Sequence, residues 1–355
     1  MQKRLKVLML GPGLGVKGGV SAVEKLIVAH MPSSVNLRFV STMEDGSNIK
    51  KVFVFVAAIF KVLGLLIVGW PDVVHLHFTS RGSNIRKVTL ARLSMVFRRK
   101  VIMHGHGGEF HLFVERLRPW YRNLTLKTLQ RANLVICLSE SWRDYYLTLG
   151  IDPEKLVALP NPVLVPETVP DRSNRKEVHF LYLGLMTELK GVYDLLQAFA
   201  SLPQSTRNKA RLVMAGNGEL DRVRQTALEL GIEDSLTVYD WVGPDERDRL
   251  LEASDVFLLP SYIEGLPMGM LEAMSYAMPV ITTPVGGIPE YVKDGVTGML
   301  VDPGAVDRLA KAMETAIESE EVRLRIGAAG RDVVKPLDAR VYCDKLAQLY
   351  SSVMD

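Results

Sequence analysis

Glu264-Gly265-Leu266-Pro267-Met268-Gly269-Met270-Leu271-Glu272 lies between two short apolar runs, Val256–Leu259 and Val280–Thr282. Each run reads as a buried β-strand. The residues between them read as a loop that turns into a helix: Gly265 frees the backbone, and Pro267 suits a first helical turn. Strand, helix and strand in that order make one unit of a parallel sheet. Glu264 then stands on the loop, and Glu272 sits about a turn and a half inside the helix. Both carboxylates face a ligand over the helix N-terminus. That end offers N–H groups and partial positive charge to a phosphate, and carboxylates accept hydrogen bonds from sugar hydroxyls. The combination fits a sugar joined to a phosphate, as in a nucleotide-sugar. A solvated helix carrying two unrelated glutamates fits the same spacing.

The alternation extends in both directions. Phe180–Leu183, Leu212–Ala215 and Leu236–Tyr239 precede the stretch, and Val7–Leu10, Val73–Leu76, Val101–Met103 and Leu134–Leu138 form a similar series in the first half. Two such series predict an α/β protein of two doubly wound, Rossmann-like domains, and 355 residues can fill both cores. Leu159–Pro170 carries four prolines, which block regular structure, so the boundary is expected near residue 170. The expected domains are 1–170 and 171–337.

Composition is that of an ordinary soluble α/β protein, 48% hydrophobic and 23% charged. Cys137 and Cys343 match no metal spacing and no disulfide framework; Cys137 lies in a strand-like run, and a reducing cytosol fits. The basic start, Met1 to Lys6, precedes an apolar run too short for a signal peptide.

Charge is unevenly divided. Residues 1–170 hold 23 Lys and Arg against 11 Asp and Glu; residues 171–355 hold 20 against 29. The first half is therefore expected to meet an anionic partner. Zinc spacings and aromatic-basic RNA motifs are missing, so a membrane surface or lipid phosphate is favoured over nucleic acid. A basic surface that only aids solubility is the plain alternative. Val52–Trp70 is apolar except for Lys61. It reads first as a packed helix and second as a membrane-surface helix. A membrane span comes last, because a lysine near its centre costs about 2.5–3.5 kcal/mol.

Several motifs carry chemistry. Gly11-Pro12-Gly13-Leu14-Gly15-Val16-Lys17-Gly18-Gly19-Val20 follows the first strand and can bring backbone N–H groups against a phosphate or an acceptor. The acid that a dinucleotide site needs about 20 residues later is replaced by Arg38-Phe39-Val40-Ser41, which argues against such a cofactor. His104-Gly105-His106-Gly107-Gly108 closes another strand-like run, where open α/β sheets bind ligands. Glu109 and His111 stand nearby, but the glycines favour close ligand approach over a metal. His75 and His77 read as satisfied residues at a sheet edge. Lys190-Gly191 follows a strand and precedes a helix, a geometry for holding a diphosphate, or simply a surface lysine. No Asp-x-Asp pair is present to hold a divalent metal.

Taken together and in order, these residues resemble retaining glycosyltransferase family 4, which has the GT-B fold of two Rossmann-like domains facing a central cleft. The resemblance is densest from Gly184 to Asp302. It rests on Lys190-Gly191, Ala215-Gly216-Asn217-Gly218, Trp241-Val242, the Glu264 to Glu272 element, Gly286-Gly287-Ile288-Pro289-Glu290 and Asp294-Gly295-Val296-Thr297-Gly298, with Gly18-Gly19 and His106-Gly107 in the first half. It implies a nucleotide-sugar-dependent hexosyltransferase with no cofactor and no metal, which moves a sugar with retention to a lipid-linked saccharide or cell-surface polysaccharide precursor.

The implied catalytic residues are His106, which holds the sugar, and Glu264, which steadies the transition state. Glu272 would bind the ribose. Lys190, the helix starting near Pro267 and the Gly18 and Gly19 amides would neutralise the leaving diphosphate, Gly265 and Leu266 would also bind the donor, and Gly216 and Val242 would border the base. A C-terminal helix, about 338–355, would pack back on the first domain. The protein would be cytoplasmic and peripheral on the inner face of the membrane, with no nucleic-acid partner. One departure stands out: the family carries arginine after the glycine of the strand before the lysine, and here Gly184 is followed by Leu185. Arg172, Arg175 or a loop of the first domain would then compensate. The implied alternatives are a non-catalytic binding subunit, or a hydrolase or epimerase of nucleotide-sugars.

Overall fold

The apolar runs become strands of two parallel sheets in a computed structural model that describes Arg4–Met354. Met1 to Lys3 of the basic start, and Asp355, lie outside the described residues. The first sheet holds β1 (Leu5–Gly11), β2 (Val35–Ser41), β3 (Val73–Phe78), β4 (Lys100–Gly105), β5 (Leu134–Cys137) and β6 (Leu156–Ala158), in the order β2-β1-β3-β4-β5-β6. The second holds β7 (Val178–Met186), β8 (Ala210–Gly218), β9 (Leu236–Tyr239), β10 (Val256–Leu259), β11 (Val280–Thr282) and β12 (Met299–Leu300), in the order β12-β11-β10-β7-β8-β9. Every strand pairing within them is parallel.

Burial explains which runs were apolar. β3, β5, β10 and β11 are buried at every position, because helices cover both faces of a parallel sheet. The edge strands β2 and β9 alternate between inward and exposed residues. In the first unit Leu8, Leu10, Leu76 and Met103 pack with Ala58, Val62 and Leu66 of the helix Asn48–Ile67. Val52–Trp70 thus lies mostly within a packed helix, capped by Ser47, whose Oγ accepts from Lys50 N at 3.3 Å. Among the described residues no helix is long and apolar enough to cross a membrane.

The chain divides into two units. One comprises the described residues through Pro162 and from Leu337 onward; the other is Val163–Pro336. The first unit therefore ends short of the boundary expected at residue 170. Val163 is buried, and Arg331 donates to the Pro166 carbonyl, which ties the later part of the proline-rich run to the second unit. The helix Ala339–Ser352 packs on β1 and on the helix Gly19–His30 of the first unit.

Strand order reverses between β1 and β3 in the first sheet, and between β7 and β10 in the second. Loops leaving the carboxyl ends of such neighbours run in opposite directions and open a crevice, the general ligand position of doubly wound sheets. Gly18 belongs to the loop after β1; Lys190 and Glu264 belong to the loops after β7 and β10.

Candidate functional site

In the second unit, the loop after β7 makes a short turn, Glu188–Lys190, that ends at Gly191. Gly191 has φ 67°, and a Cβ there would lie 2.0 Å from the Pro260 carbonyl oxygen, so only glycine lets the two loops close on each other. Tyr262 N donates to Leu189 O at 3.0 Å and fixes their register. Lys190 Nζ then donates to Glu264 Oε1 at 2.6 Å and to Ile263 O at 3.1 Å. Ser261 Oγ donates to the same Glu264 oxygen at 2.8 Å. The Glu264 side chain is only 10% exposed, so this charged pair is poorly screened by water.

The helix Met268–Ser275 follows directly, with Pro267 at its N-cap. Glu272 lies inside it, one turn beyond its start. Its Oε1 accepts from Arg247 Nη1 at 2.7 Å, and Arg247 also bridges Asp248 at 2.8 Å. Burial pushes the Glu272 carboxyl up, and the Arg247 charge opposes that shift. The two glutamates thus do not share one cation; each has its own. Gly265 O accepts from Gly287 N at 2.7 Å, and the Leu266 side chain is buried, which holds the loop down ahead of the helix. Gly216 pairs with Gly184 near the carboxyl ends of β8 and β7. Val242 is half-buried in the connection from β9 to the helix Pro244–Ala253, which carries Arg247.

Leu185 is 45% exposed, and its carbonyl accepts from Tyr182 OH at 2.8 Å. The arginines expected to stand in for its missing charge are engaged elsewhere. Arg172 is buried and donates to the carbonyls of Leu251, Ser254 and Tyr276; Arg175 pairs with Asp255 at 3.3 Å. Both hold the frame of the second unit.

In the first unit Gly18 has φ 155° and caps the helix Gly19–His30. Gly18, Gly19, Ser83, Arg86 and Lys87 line a cavity of about 180 Å³ at the β1/β3 switch point. Lys87 is buried and donates to Thr42 Oγ1 at 2.6 Å. Burial pushes its ammonium down to about 7, against the pull of Glu24, whose own carboxyl burial raises.

The histidines form a ladder across β3 and β4. His75 Nδ1 meets Tyr350 OH at 2.7 Å, His75 Nε2 meets His104 Nδ1 at 3.2 Å, and His77 Nδ1 meets His106 Nε2 at 2.8 Å. His106 is half-buried just past β4 and also bonds the Asn161 side chain. Burial pushes His75 and His106 down to about 3, and His77 and His104 well below their usual range, so all four are neutral at pH 7. His75 and His77 are not at a sheet edge: β3 is an interior strand, and both rings are fully buried. His75, His77 and His104 bring ring nitrogens within 4.8 Å of one another, close enough to share a metal, although the His75–His104 bond already uses part of that donor set. Glu109 and His111 are not in this group; Glu109 pairs with Arg81 at 3.6 Å.

Sequence reading missed Arg247, Ser261 and the His77 support of His106. Arg247 sits among Asp245, Glu246, Asp248 and Arg249, and such a run reads as a solvated helix face. Only the fold shows that it turns toward Glu272.

Two family profiles match the chain, one described as glycosyl transferases group 1 over residues 168–333 and one as glycosyltransferase family 4 over residues 39–164. The GDP-mannose-dependent alpha-(1-6)-phosphatidylinositol monomannoside mannosyltransferase of Mycobacterium tuberculosis is 27% identical over 261 residues. That match covers 69% of this chain and 66% of the relative, just under two thirds of its length. The putative colanic acid biosynthesis glycosyltransferase WcaL of Salmonella typhimurium is 26% identical over 79% of this chain and 71% of its own. Anabaena HepE, solved in complex with UDP, has the same fold, with a TM-score of 0.77 at 18% identity over 98% of this chain and 100% of its own. Two parallel six-stranded sheets, a glycine-lined switch point in each, and two profiles that between them reach both units lead to one assignment: the chain belongs to the group 1 glycosyltransferases, of the family 4 kind, with the GT-B fold.

Proposed function

We propose that the protein moves a sugar from a nucleotide-sugar to a lipid-linked saccharide or cell-surface polysaccharide precursor, with retention and without a metal ion. The observation that carries this reading is the Lys190–Glu264 pair, 2.6 Å apart on the loop that leads into the helix Met268–Ser275. Lys190 and the helix N-terminus supply the positive charge that a departing diphosphate needs, a task a metal serves elsewhere. Both bonds to Glu264 fall on Oε1, which leaves Oε2 for a hydroxyl of the donor sugar. Glu272, oriented by Arg247, would take the ribose hydroxyls, with Gly216 and Val242 beside the base. His106 would hold the sugar, its ring set by His77. The acceptor would attack from the side the diphosphate leaves, and that phosphate would take the acceptor proton. The relatives support the substrate classes: one uses GDP-mannose and a phosphatidylinositol mannoside, and HepE holds UDP. A lipid-linked acceptor would place the protein at the cytosolic face of a membrane.

Leu185, with Arg172 and Arg175 engaged elsewhere, supports a second reading, a subunit that binds donor without turning it over. The two are separated by following nucleoside diphosphate release in EDTA from a panel of nucleotide-sugars, with and without membrane lipid extract. Transfer predicts release that depends on the extract. Release without extract would mean hydrolysis or epimerisation, and donor binding without release under any condition would favour the binding subunit.

A further inference from the structure

The helix Asn48–Ile67 buries one face in the first unit's core and leaves the other in water. Ile49, Phe53, Val56, Phe60 and Ile67 recur at intervals of three, four and seven along that outer face, and all are exposed; Phe53 is 74% exposed and Phe60 is 69%. Val52 and Val68 extend the row. The water face of a helix is ordinarily polar. Single exposed apolar residues need no explanation, but a row along a whole helix marks an interaction surface.

The charges around it are mostly of one sign, with Glu44 and Asp45 standing just ahead of its N-cap. The helix carries Lys50, Lys51 and Lys61 and no acid. From Gly46 to Gly107 the chain holds ten Lys and Arg, with Asp72 as the only acid. Beside the helix a groove of about 460 Å³ sets Arg38 and Lys61 against Phe39, Phe60 and Leu65. Cations over an apolar floor suit an anionic headgroup whose acyl chain lies alongside.

We propose that this face docks on the surface of an anionic lipid bilayer, with the helix lying in the interface and not across it. A second copy of the chain is the poorer occupant, because a symmetric contact would set Lys50, Lys51 and Lys61 against the same lysines, and the helix itself carries no acid to pair them. A span is excluded by the opposite face, where Ala58, Val62 and Leu66 belong to the protein core. The inference deepens the membrane part of the proposed function and rests on that reading for its purpose, but it does not need the transfer reaction.

The test is co-sedimentation of the full chain with vesicles of phosphatidylcholine, alone or mixed with phosphatidylglycerol. Binding should be at least about tenfold stronger on the anionic vesicles and weaker in high salt. Phe53→Ser with Phe60→Ser should lose at least about tenfold of it while keeping the wild-type unfolding midpoint, since both side chains face solvent. Lys50→Glu with Lys51→Glu should remove the preference for anionic lipid. Absence of wild-type binding, or equal binding by the Phe variant, overturns the proposal. So does a dimer that the Phe variant dissolves without any vesicle binding, which would assign the face to a second copy. Because partition is read and not turnover, failure of the transferase reading leaves this result intact, and the reverse.

Discussion

At the β7/β10 switch point the polar groups are strong ions in pairs: Lys190 with Glu264, and Arg247 with Glu272. Near the carboxyl ends of β3 and β4 they are four imidazoles that burial holds neutral, bonded to one another and to Tyr350 and Asn161. Both arrangements grow from the same scaffold, a parallel sheet whose loops leave the carboxyl ends. The contrast shows that the scaffold decides where a site is, and the local charge decides what it can do. Paired ions near a helix start can exchange partners with a phosphate. A neutral ladder has no net charge to offer; it can fix the tautomer of one ring, His106, and present a hydrogen bond of definite direction.

The contrast breaks most severely at Lys190. Lys190→Ala removes the cation proposed to face the diphosphate and should lower turnover by about 10²- to 10³-fold, the usual cost of losing one charge-stabilising donor. Steady-state diphosphate release measures it. A loss of less than about threefold would mean that the charge sits elsewhere.

Next is the second ion pair. Glu272→Ala should weaken nucleotide-sugar binding by about 10- to 100-fold, the worth of hydrogen bonds to a charged group. Arg247→Ala leaves a carboxylate that is only 13% exposed without its partner. It should destabilise the protein by about 2 kcal/mol, seen as a lower unfolding midpoint in calorimetry.

The ladder predicts a pH response confined to the first unit. An imidazole that stays neutral when folded takes a proton when unfolded below about pH 6.5. Its contribution is complete above that pH and is lost as pH falls toward the folded value, about 3 for His75 and His106. Each such ring costs about 1.4 kcal/mol per pH unit within that window. Hydrogen exchange at pH 5 against pH 7.5, corrected for intrinsic rate, should show lost protection in β3 and β4. Protection in β7 and β10 should change less. Equal change in both units would mean that the ladder does not set the acid response.

The strands show what a sequence discloses and what it hides. Leu236–Tyr239, Val256–Leu259 and Val280–Thr282 are β9, β10 and β11 at their observed limits, because an apolar run between turn signals is what a parallel sheet demands of an inner strand. β2 was not recognised: it alternates, carries Arg38 outward and lies at an edge. β6 and β12, three and two residues long, carry too little pattern to read. At the site, Lys190, Glu264 and Glu272 were legible because loop and helix signals flank them in sequence. Arg247, the partner of Glu272, was not, nor was the support of His106 by His77. Arg247 and Glu272 stand on different helices, and His77 lies in β3 while His106 follows β4, so no local spacing encodes either pair.

The smallest effect is expected at Leu185. It stands where the resemblance implies an arginine, on the exposed side of β7. Leu185→Arg should tighten donor binding by a few-fold at most, about 0.5–1 kcal/mol for a partly exposed charge. A hundredfold gain would instead mean that Leu185 strips the natural protein of most of its donor affinity.

The donor is proposed to bind at the β7/β10 switch point through the paired ions. The most direct measurement is calorimetric titration of UDP- and GDP-linked sugars, in EDTA, into the wild type and the Lys190→Ala, Glu272→Ala double variant. At least one donor should bind the wild type, and the double variant, still folded by circular dichroism, should bind it at least about 100-fold more weakly. Equal affinity in the two proteins would move the donor site away from these residues.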